Sequence, residues 1–256
     1  MTRKAGAGIC VHCLKEVEVR TWDHVFPKGW YPEDTPADIE KWKIPSCRFC
    51  NAEYGSLEED LGIRIAFCIG PNASGAKGIY EKALRSMDAS QGRNMKDRIR
   101  RAQKRDKYLG MLVKNPSVPE SAIYPGFEER WGRPPEERIA LYVPVKGLQR
   151  IVEKIVKGIA FIEDDRLLEA SVDIKHHPMH ENTAAQFNDL LARFGESHSR
   201  GPGVEVTRAV TPEDGISALY KIVIWGQWIM YASVRQGPAQ QDATPDFGAA
   251  PRPLRR

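Results

Sequence analysis

An acid and a histidine, Asp23 and His24, stand side by side within the largely apolar and aromatic stretch TWDHVFPKGW. An imidazole titrates near neutral pH and can take a proton from water. A carboxylate is a hard oxygen ligand for divalent cations such as Mg²⁺. The pair could therefore activate water beside a metal ion. The alternative is structural, with a hydrogen-bonded histidine on the solvent-facing edge of a strand.

Four of the five cysteines form two CxxC pairs, Cys10 with Cys13 and Cys47 with Cys50, and Cys68 stands alone. Each CxxC turn points two thiolates at one ion, and two such turns complete the tetrahedral sulfur site that zinc prefers. A closed four-thiolate site has no open coordination position, so we expect this zinc to be structural.

The segment between the cysteine pairs is longer than a minimal zinc ribbon needs, so we expect it to fold. The alternation in residues 16–22 predicts a strand ending at Asp23 and His24, followed by a Pro- and Gly-rich loop and a second extended segment at 37–46. After Cys50, Tyr54, Leu57, Leu61 and Ile65 fall on one helical face. Ser56 and Glu59 form a capping-box pattern, which predicts that the helix is regular from Leu57.

This order of motifs, a CxxC pair, an acid followed by histidine, and a CxxC pair followed by Asn51, resembles the HNH endonucleases of the ββα-metal class with a zinc-stapled motif. The resemblance covers roughly residues 8 to 67. It implies that His24 is the general base and that Asp23 and Asn51 hold a catalytic Mg²⁺ or Mn²⁺. It also implies DNA cleavage to 5′-phosphate and 3′-hydroxyl ends.

Two residues depart from the family pattern. Trp42 stands near the place of the family's middle asparagine, and no asparagine occurs between His24 and Cys47. The loop that orients His24 must then be braced by Asp38 or by a backbone group. Tyr54 stands near the place of a basic residue that the family often has on the helix.

Residues 77–107 carry eleven Lys and Arg against four Asp and Glu. The pattern predicts helices on both sides of Gly92, with a buried stripe on each and cations on the opposite face. Such a face is either solvated surface or a contact for phosphates that does not read sequence. The buried stripe comprises Ile79, Ala83, Met87, Met95, Ile99 and Ala102. The candidate nucleic-acid-binding residues are Arg98, Arg100, Arg101, Lys104 and Arg105.

The C-terminal half predicts a small α+β domain without a defensible catalytic motif. Residues 147–165 and 183–195 have amphipathic helical patterns, and residues 203–210 and 218–234 look like strands. His176, His177 and His180 form an HHPMH cluster, which we interpret as an exposed loop because Pro178 interrupts any helical alignment. Trp225 and Trp228 are interpreted as core or interface residues.

The predicted fold class is therefore α+β, with an HNH-like zinc-bound nuclease module and a small C-terminal domain. The predicted divisions are a nuclease module at 1–70, a basic helical segment at 71–113, a Pro-rich linker at 114–138, the α+β domain at 139–235 and a disordered tail at 236–256. Without a signal peptide or an apolar span in the sequence, we expect a cytoplasmic protein with no membrane partner.

The function predicted is a Zn²⁺-stapled, Mg²⁺- or Mn²⁺-dependent endonuclease acting on DNA, double-stranded in preference to single-stranded. The C-terminal domain would select substrate, regulate cutting or bind a protein partner or a second copy. The alternative is a zinc-ribbon module that binds nucleic acid without hydrolysis. That alternative needs the cysteines but is indifferent to Asp23, His24 and Asn51.

Overall fold

Five helices and several small sheets make up the computed structural model, which describes residues 5–70, 73, 75–114, 122–127, 137, 139–180 and 182–237. The predicted α+β class is confirmed. In chain order the elements are β1 (Gly8–Ile9), β2 (Glu16–Val17), β3 (Arg20–His24), β4 (Lys43–Cys47), α1 (Arg48–Cys68), α2 (Ile79–Met87), α3 (Met95–Leu109), β5 (Leu112–Lys114), β6 (Ile139–Leu141), α4 (Val145–Asp164), β7 (Val172–His177), α5 (Ala185–Phe194), β8 (Glu196–His198), β9 (Val204–Val210), β10 (Ala218–Ile224) and β11 (Trp228–Gln236).

The N-terminal part contains two short strand pairs followed by a long helix. β1 pairs with β2, and β3 pairs antiparallel with β4 so that Asp23 lies opposite Ile44 and His24 opposite Lys43. Helix α1 follows β4 directly. The expectation that this helix becomes regular only from Leu57 is wrong, because the Cys47 side chain accepts the Cys50 backbone N–H and caps a helix that already begins at Arg48.

The basic segment forms α2 and α3, as the pattern on both sides of Gly92 predicts. Ile79, Ala83 and Met87 are buried on α2. The corresponding expectation for α3 is wrong, since Met95 is 69% exposed and Ile99 50% exposed. Helix α3 instead contacts α1 through polar side chains, including Lys104 to Glu59, so its apolar stripe faces away from the core.

The C-terminal half contains a five-stranded antiparallel sheet in the order β7-β11-β10-β9-β8. The expectation of one strand over residues 218–234 is wrong, because the chain reverses between Ile224 and Trp228. Trp225 has φ of 52° and Gly226 has φ of 67°, and two consecutive left-handed residues produce the tight reversal. Trp225 and Trp228 are both buried, as expected.

One hydrophobic cluster contains buried residues from both halves of the chain. It includes Trp30 and Leu61 of the N-terminal part together with Ile155 of α4 and Ile222 of β10. The Trp225 indole N–H donates to the Trp30 carbonyl, and the two rings meet edge to face at 6.0 Å between centroids. The two predicted domains therefore share a continuous core among the described residues.

Most of the predicted linker and tail lies outside the described residues, apart from Lys114, residues 122–127 and 137, and the segment up to Gly237. Tyr124, within that linker, stacks on Trp228 at 4.1 Å and donates to the Ile229 carbonyl at 2.9 Å. No helix in the described part of the chain is both long enough and apolar enough to span a bilayer.

Helix α4 touches the N-terminal module closely at Gly158, and this contact gives a first prediction. A Cβ at Gly158 would lie 2.6 Å from Val25, the residue after β3. We expect Gly158→Ala to lower the free energy of unfolding by about 1–3 kcal/mol, because overpacking outweighs the gain in helix propensity of roughly 1 kcal/mol. Urea unfolding measures the effect.

The matched control is Gly55→Ala on α1, where a Cβ would meet nothing within 4 Å. This change should stabilise the protein by up to about 1 kcal/mol, since only helix propensity acts there. Equal stabilisation by both substitutions would contradict the docking of α4 against Val25.

Candidate metal centre and active site

The four paired cysteines converge on one point. Their sulfur atoms all lie within 4.8 Å of one another, and the Cys13 and Cys47 sulfurs are 4.0 Å apart. Four sulfurs bound to one zinc at about 2.3 Å would lie roughly 3.8 Å apart. The cluster is thus close enough to bind a metal ion, and its donor set fits zinc. Cys68 is outside it.

The backbone around the cluster prepares the sulfurs for this role. Cys10 Sγ accepts the Cys47 N–H at 3.2 Å. Burial raises the pKa of the Cys10 thiol, but N–H donors from Cys13, Cys47 and His12 outweigh it and lower the pKa to about 7. A thiolate is the form that binds metal, so these donors favour the bound state.

Asp23 lies in a buried polar network rather than at an open surface. Its side chain is on the face of β3 that packs inward, and the residue is 5% exposed. His12 Nε2 lies 2.9 Å from Asp23 Oδ2, and Lys154 Nζ lies 3.0 Å from Oδ1. Lys154 also donates to Glu58 of α1. Both oxygens of Asp23 are therefore already hydrogen-bonded within the protein.

The protonation states of this network follow from burial and charge. Burial would raise the pKa of Asp23, but the His12 hydrogen bond and the Lys154 charge outweigh it and hold the pKa below its ordinary value. Burial lowers the pKa of His12, and Asp23 opposes this only in part. His12 is therefore a neutral imidazole that donates from Nε2. Burial raises the pKa of Glu58 more than Lys154 lowers it.

Helix α4 supplies three cationic side chains to the N-terminal module. Arg150 pairs with Glu53 at 2.8 Å and lies over the Tyr54 ring. Lys154 enters the Asp23 network, with its ammonium 5.5 Å from the centroid of the same ring. Lys157 donates to the His12 carbonyl at 3.0 Å. Because these residues follow one face of the helix, α4 is docked along its length against the N-terminal part that carries the four cysteines, which we call the cysteine module.

His24 points to the other face of β3, since successive strand residues alternate. It is half-buried, and its Nε2 is buried with no hydrogen-bond partner among the described residues. Burial, with the positive charges of Lys28 and Lys43, lowers the pKa of His24 to about 4. Both lysines are exposed, and Lys43 is the cross-strand neighbour of His24. A neutral imidazole thus lies near two solvent-exposed cations.

Asn51 lies in the first turn of α1, where the resemblance implies a metal ligand. Its side-chain Nδ2 donates to Thr21 Oγ1 at 2.9 Å. This bond ties the start of the helix to β3. Asp23 and Asn51 are on adjacent elements, but no described contact joins them, and each has its own protein partners.

The loop after His24 is braced by the backbone at Trp42, which stands near the place where the resemblance implies an asparagine. The Val25 N–H donates to the Trp42 carbonyl at 3.1 Å, and the Phe26 and Trp42 rings lie 6.0 Å apart. Trp42 is buried. Of the two braces expected from sequence, Asp38 and a backbone group, the described contacts supply the backbone group.

A divalent ion held by Asp23 and Asn51 does not fit the described side chains. Mg²⁺ needs oxygen ligands at about 2.1 Å and keeps several waters. At Asp23 it would share the carboxylate with the Lys154 ammonium, in a position closed to solvent. Asn51 donates to Thr21 from its Nδ2, and that bond does not occupy the Oδ1 that would bind an ion, so the misfit lies at Asp23. The sequence prediction of this ligand pair therefore has no support from the geometry.

The five candidate nucleic-acid-binding residues all lie on α3, but they differ in exposure. Arg98, Arg100 and Arg105 are exposed, whereas Arg101 and Lys104 are partly buried. Several are paired with acids: Arg100 and Arg101 with Asp97, Lys104 with Glu59, and Arg105 with Asp106. Their charge is partly neutralised within the protein.

The HHPMH segment is not an exposed loop throughout, because His176 and His177 belong to β7. His176 is buried and lies 3.3 Å from the Tyr124 hydroxyl, while His177 Nε2 lies 2.8 Å from Ser233 Oγ on the opposite face of the strand. Within the described ranges, the four cysteines are the one group of His, Cys, Asp and Glu side chains close enough to hold a metal. These histidines have structural roles.

Sequence reasoning missed three members of the Asp23 network: His12, Glu58 and Lys154. Glu58 carried a recognisable signal, since it falls on the same helical face as Cys50, Tyr54 and Leu61 and so places a carboxylate within a buried stripe. Lys154 carried a similar signal, because it places an ammonium among the buried apolar residues of α4. Their meeting depends on the packing of α1 against α4, which local patterns do not specify.

Comparison of the chain with protein-family models, curated proteins and solved structures found no match. The resemblance to HNH endonucleases consequently depends on the motif residues and their arrangement alone.

The cysteine cluster generates a direct prediction about metal content. Purified protein should contain one zinc per chain by elemental analysis, and Cys50→Ser should lose it, because three sulfurs and a hydroxyl bind zinc far more weakly. We expect a large loss of stability as well, since zinc binding is coupled to folding of such modules. Thermal unfolding and elemental analysis of the same samples provide both readouts.

Cys68→Ser is the matched control, because Cys68 lies at the far end of α1 and outside the cluster. It should keep one zinc per chain. Zinc retained in Cys50→Ser, or lost in Cys68→Ser, would contradict the four-cysteine site.

Proposed function

We propose that the chain is a zinc-stabilised endonuclease of the HNH type, which hydrolyses phosphodiester bonds in DNA with His24 as the general base. The zinc would hold the cysteine module together without taking part in the reaction. The observation that carries the proposal is the position of His24: its Nε2 has no hydrogen-bond partner among the described residues, and the exposed Lys28 and Lys43 lie near it.

The unpaired His24 Nε2 supports a functional rather than a structural role. A buried polar atom without a partner costs about 1–3 kcal/mol, so most such atoms are paired in folded proteins. His12 Nδ1 is also buried without a described partner, so the unpaired His24 Nε2 supports the proposal only together with the lysines near it. A water or a phosphate oxygen of a substrate would satisfy the nitrogen.

Lys28 and Lys43 support a phosphate as the group that binds beside His24. Each carries an exposed ammonium, and both act on His24 electrostatically. Ammonium groups attract phosphates as point charges and need no particular base sequence. A phosphodiester bound there would have positive charge around its oxygens, and the attacking water would reach the buried His24 Nε2 once the side chains that cover this atom move aside.

The reaction on this surface is an in-line displacement. His24 takes a proton from water, the water oxygen forms a bond to phosphorus, and the bond from phosphorus to the 3′-oxygen breaks. The resemblance implies the products, a 5′-phosphate and a 3′-hydroxyl, the latter receiving a proton. It also implies Mg²⁺ or Mn²⁺, but this displacement does not use such an ion, because both oxygens of Asp23 are already bonded to His12 and Lys154.

A second candidate, a zinc module that binds nucleic acid without hydrolysis, is favoured by one specific observation. Both oxygens of Asp23 are bonded to His12 and Lys154 inside the protein. A module with no need of a catalytic cation can use this carboxylate for structure. In either case we propose DNA as the partner. Cytoplasmic location and a second copy or protein partner at the C-terminal domain remain predictions.

Plasmid nicking by zinc-loaded protein, with and without added Mg²⁺ or Mn²⁺, tests the endonuclease. We expect His24→Ala to cut about 10²–10⁴-fold more slowly, since that is the usual contribution of a general base. His180→Ala, a histidine of the C-terminal half, is the matched control and should cut like the wild type.

The pH profile is a second readout of the same assay. A base is active when it is unprotonated, so the low pKa of His24 predicts that cutting persists as pH falls below 6.5 and is lost only as pH approaches about 4. Equal cutting by His24→Ala would reject the enzyme. If no protein cuts but all shift DNA in a salt-sensitive way, the binding module is correct.

The α3 arginines give a prediction about DNA affinity that holds for both candidates. Arg98→Gln/Arg105→Gln should weaken binding for all sequences and flatten the plot of log K against log salt by roughly one unit for each phosphate that the protein no longer neutralises. Lys175→Gln/Arg235→Gln removes the same charge from exposed positions of the C-terminal sheet. An equal change of slope in both double variants would mean that α3 has no special contact with DNA.

A further inference from the structure

Lys154 is the centre of a buried triad that joins the two halves of the chain. Its side chain has no exposed surface, and its ammonium contacts Asp23 of β3 and Glu58 of α1. We call these three residues the Asp23–Lys154–Glu58 triad. Lysine is almost never fully buried unless it is paired, and here two carboxylates pair with the ammonium.

The triad has the composition of a cation site. Two carboxylates from different elements approach the same point, and the Tyr54 ring lies 5.5 Å from the charge at that point. Oxygen ligands of this kind bind hard cations in proteins. The cation present here is the lysine of the chain itself.

We propose that Lys154 permanently fills the cation position at Asp23, so that the folded protein excludes divalent metal ions from this carboxylate. An internal counter-ion thereby takes the place of the metal that the resemblance predicts at Asp23. This exclusion holds whether or not the chain cuts DNA.

Electrostatics and hydration both favour the lysine. An ion close enough to bind Asp23 would lie within a few ångströms of the ammonium, where two positive charges repel strongly in a medium that water does not screen. Mg²⁺ and Mn²⁺ would also have to lose most of their water shell, because the site is dry. The Lys154 ammonium loses its own hydration during folding, when α4 packs against the N-terminal part, so no further dehydration is needed in the folded protein.

The neighbouring contacts of α4 keep Lys154 in register. Arg150, one turn before it, pairs with Glu53, and Lys157, one turn after it, donates to the His12 carbonyl. The ammonium can leave Asp23 only if these contacts also break or if the lysine side chain bends away from α1. Lys154 is therefore a fixed counter-ion of Asp23 and Glu58 and does not exchange with ions from solvent.

Mn²⁺ binding to zinc-loaded protein, measured by the decrease of the free Mn²⁺ signal in electron paramagnetic resonance, tests the inference without DNA. Wild type and Asp23→Asn should bind Mn²⁺ equally weakly, because Asp23 is closed to it. Tighter binding by the wild type than by Asp23→Asn would overturn the proposal.

Removal of the lysine should open the site. Lys154→Met keeps the length of the side chain without its charge, and we expect it to bind one Mn²⁺ per chain at least about tenfold more tightly than the wild type, through the two released carboxylates. The double variant Lys154→Met/Asp23→Asn should lose that gain. Lys157→Met, which removes a lysine of the same helix that does not contact Asp23, should bind like the wild type.

A folded Lys154→Met protein with no gain in Mn²⁺ affinity would overturn the inference. Folding is checked by circular dichroism and zinc content. If Lys154→Met fails to fold, the comparison of wild type with Asp23→Asn still decides the question, because both proteins retain Lys154 and its contact with Glu58.

Discussion

The four-cysteine cluster is the constraint on which the N-terminal structure depends. Cys10 and Cys13 lie on the turn between β1 and β2, whereas Cys47 ends β4 and Cys50 is in the first turn of α1. One ion bound to all four ties the turn, the hairpin and the helix together at a single point. Structural zinc sites of this kind contribute about 10–16 kcal/mol to folding. The Cys47 side chain also caps α1, so the same residue ends the strand, precedes the helix and supplies one sulfur of the cluster.

Around this point the rest of the chain packs through charge as well as through apolar contacts. Helix α4 buries Ile151, Ile155 and Ile159 in the common core, and beside them it directs Arg150, Lys154 and Lys157 at the cysteine module. Buried ion pairs add little net stability compared with apolar packing, but loss of one partner leaves an uncompensated charge at a cost of about 3–5 kcal/mol. Of these three cations only Lys154 forms a buried ion pair, so the cost of losing a partner applies to its contacts with Asp23 and Glu58.

The pleat of β3 separates Asp23 from His24 and gives the two neighbours opposite surroundings. Asp23 lies in the dry interior, where a lysine and a histidine keep it ionised. His24 lies on the other face, where burial and two lysines keep it neutral. A site that used both side chains on one phosphate would require the strand to distort, yet the pairing with β4 is regular up to the His24–Lys43 pair. This separation is why the proposed chemistry uses His24 with the lysines near it.

Features that depend on local spacing could be predicted from the amino-acid sequence. The CxxC pairs predicted the four-cysteine cluster, and apolar periodicity predicted α1, α2, α4 and α5, since a helix or a CxxC turn forms from neighbouring residues. Which charged side chains come into contact depends on tertiary packing. His12, Glu58 and Lys154 are far apart along the chain, and only the packing of α4 against α1 and β3 brings them to Asp23. The start of α1 also differs from the local pattern, because the Cys47 side chain caps the helix. Met95 and Ile99 are exposed, because α3 contacts α1 through polar side chains.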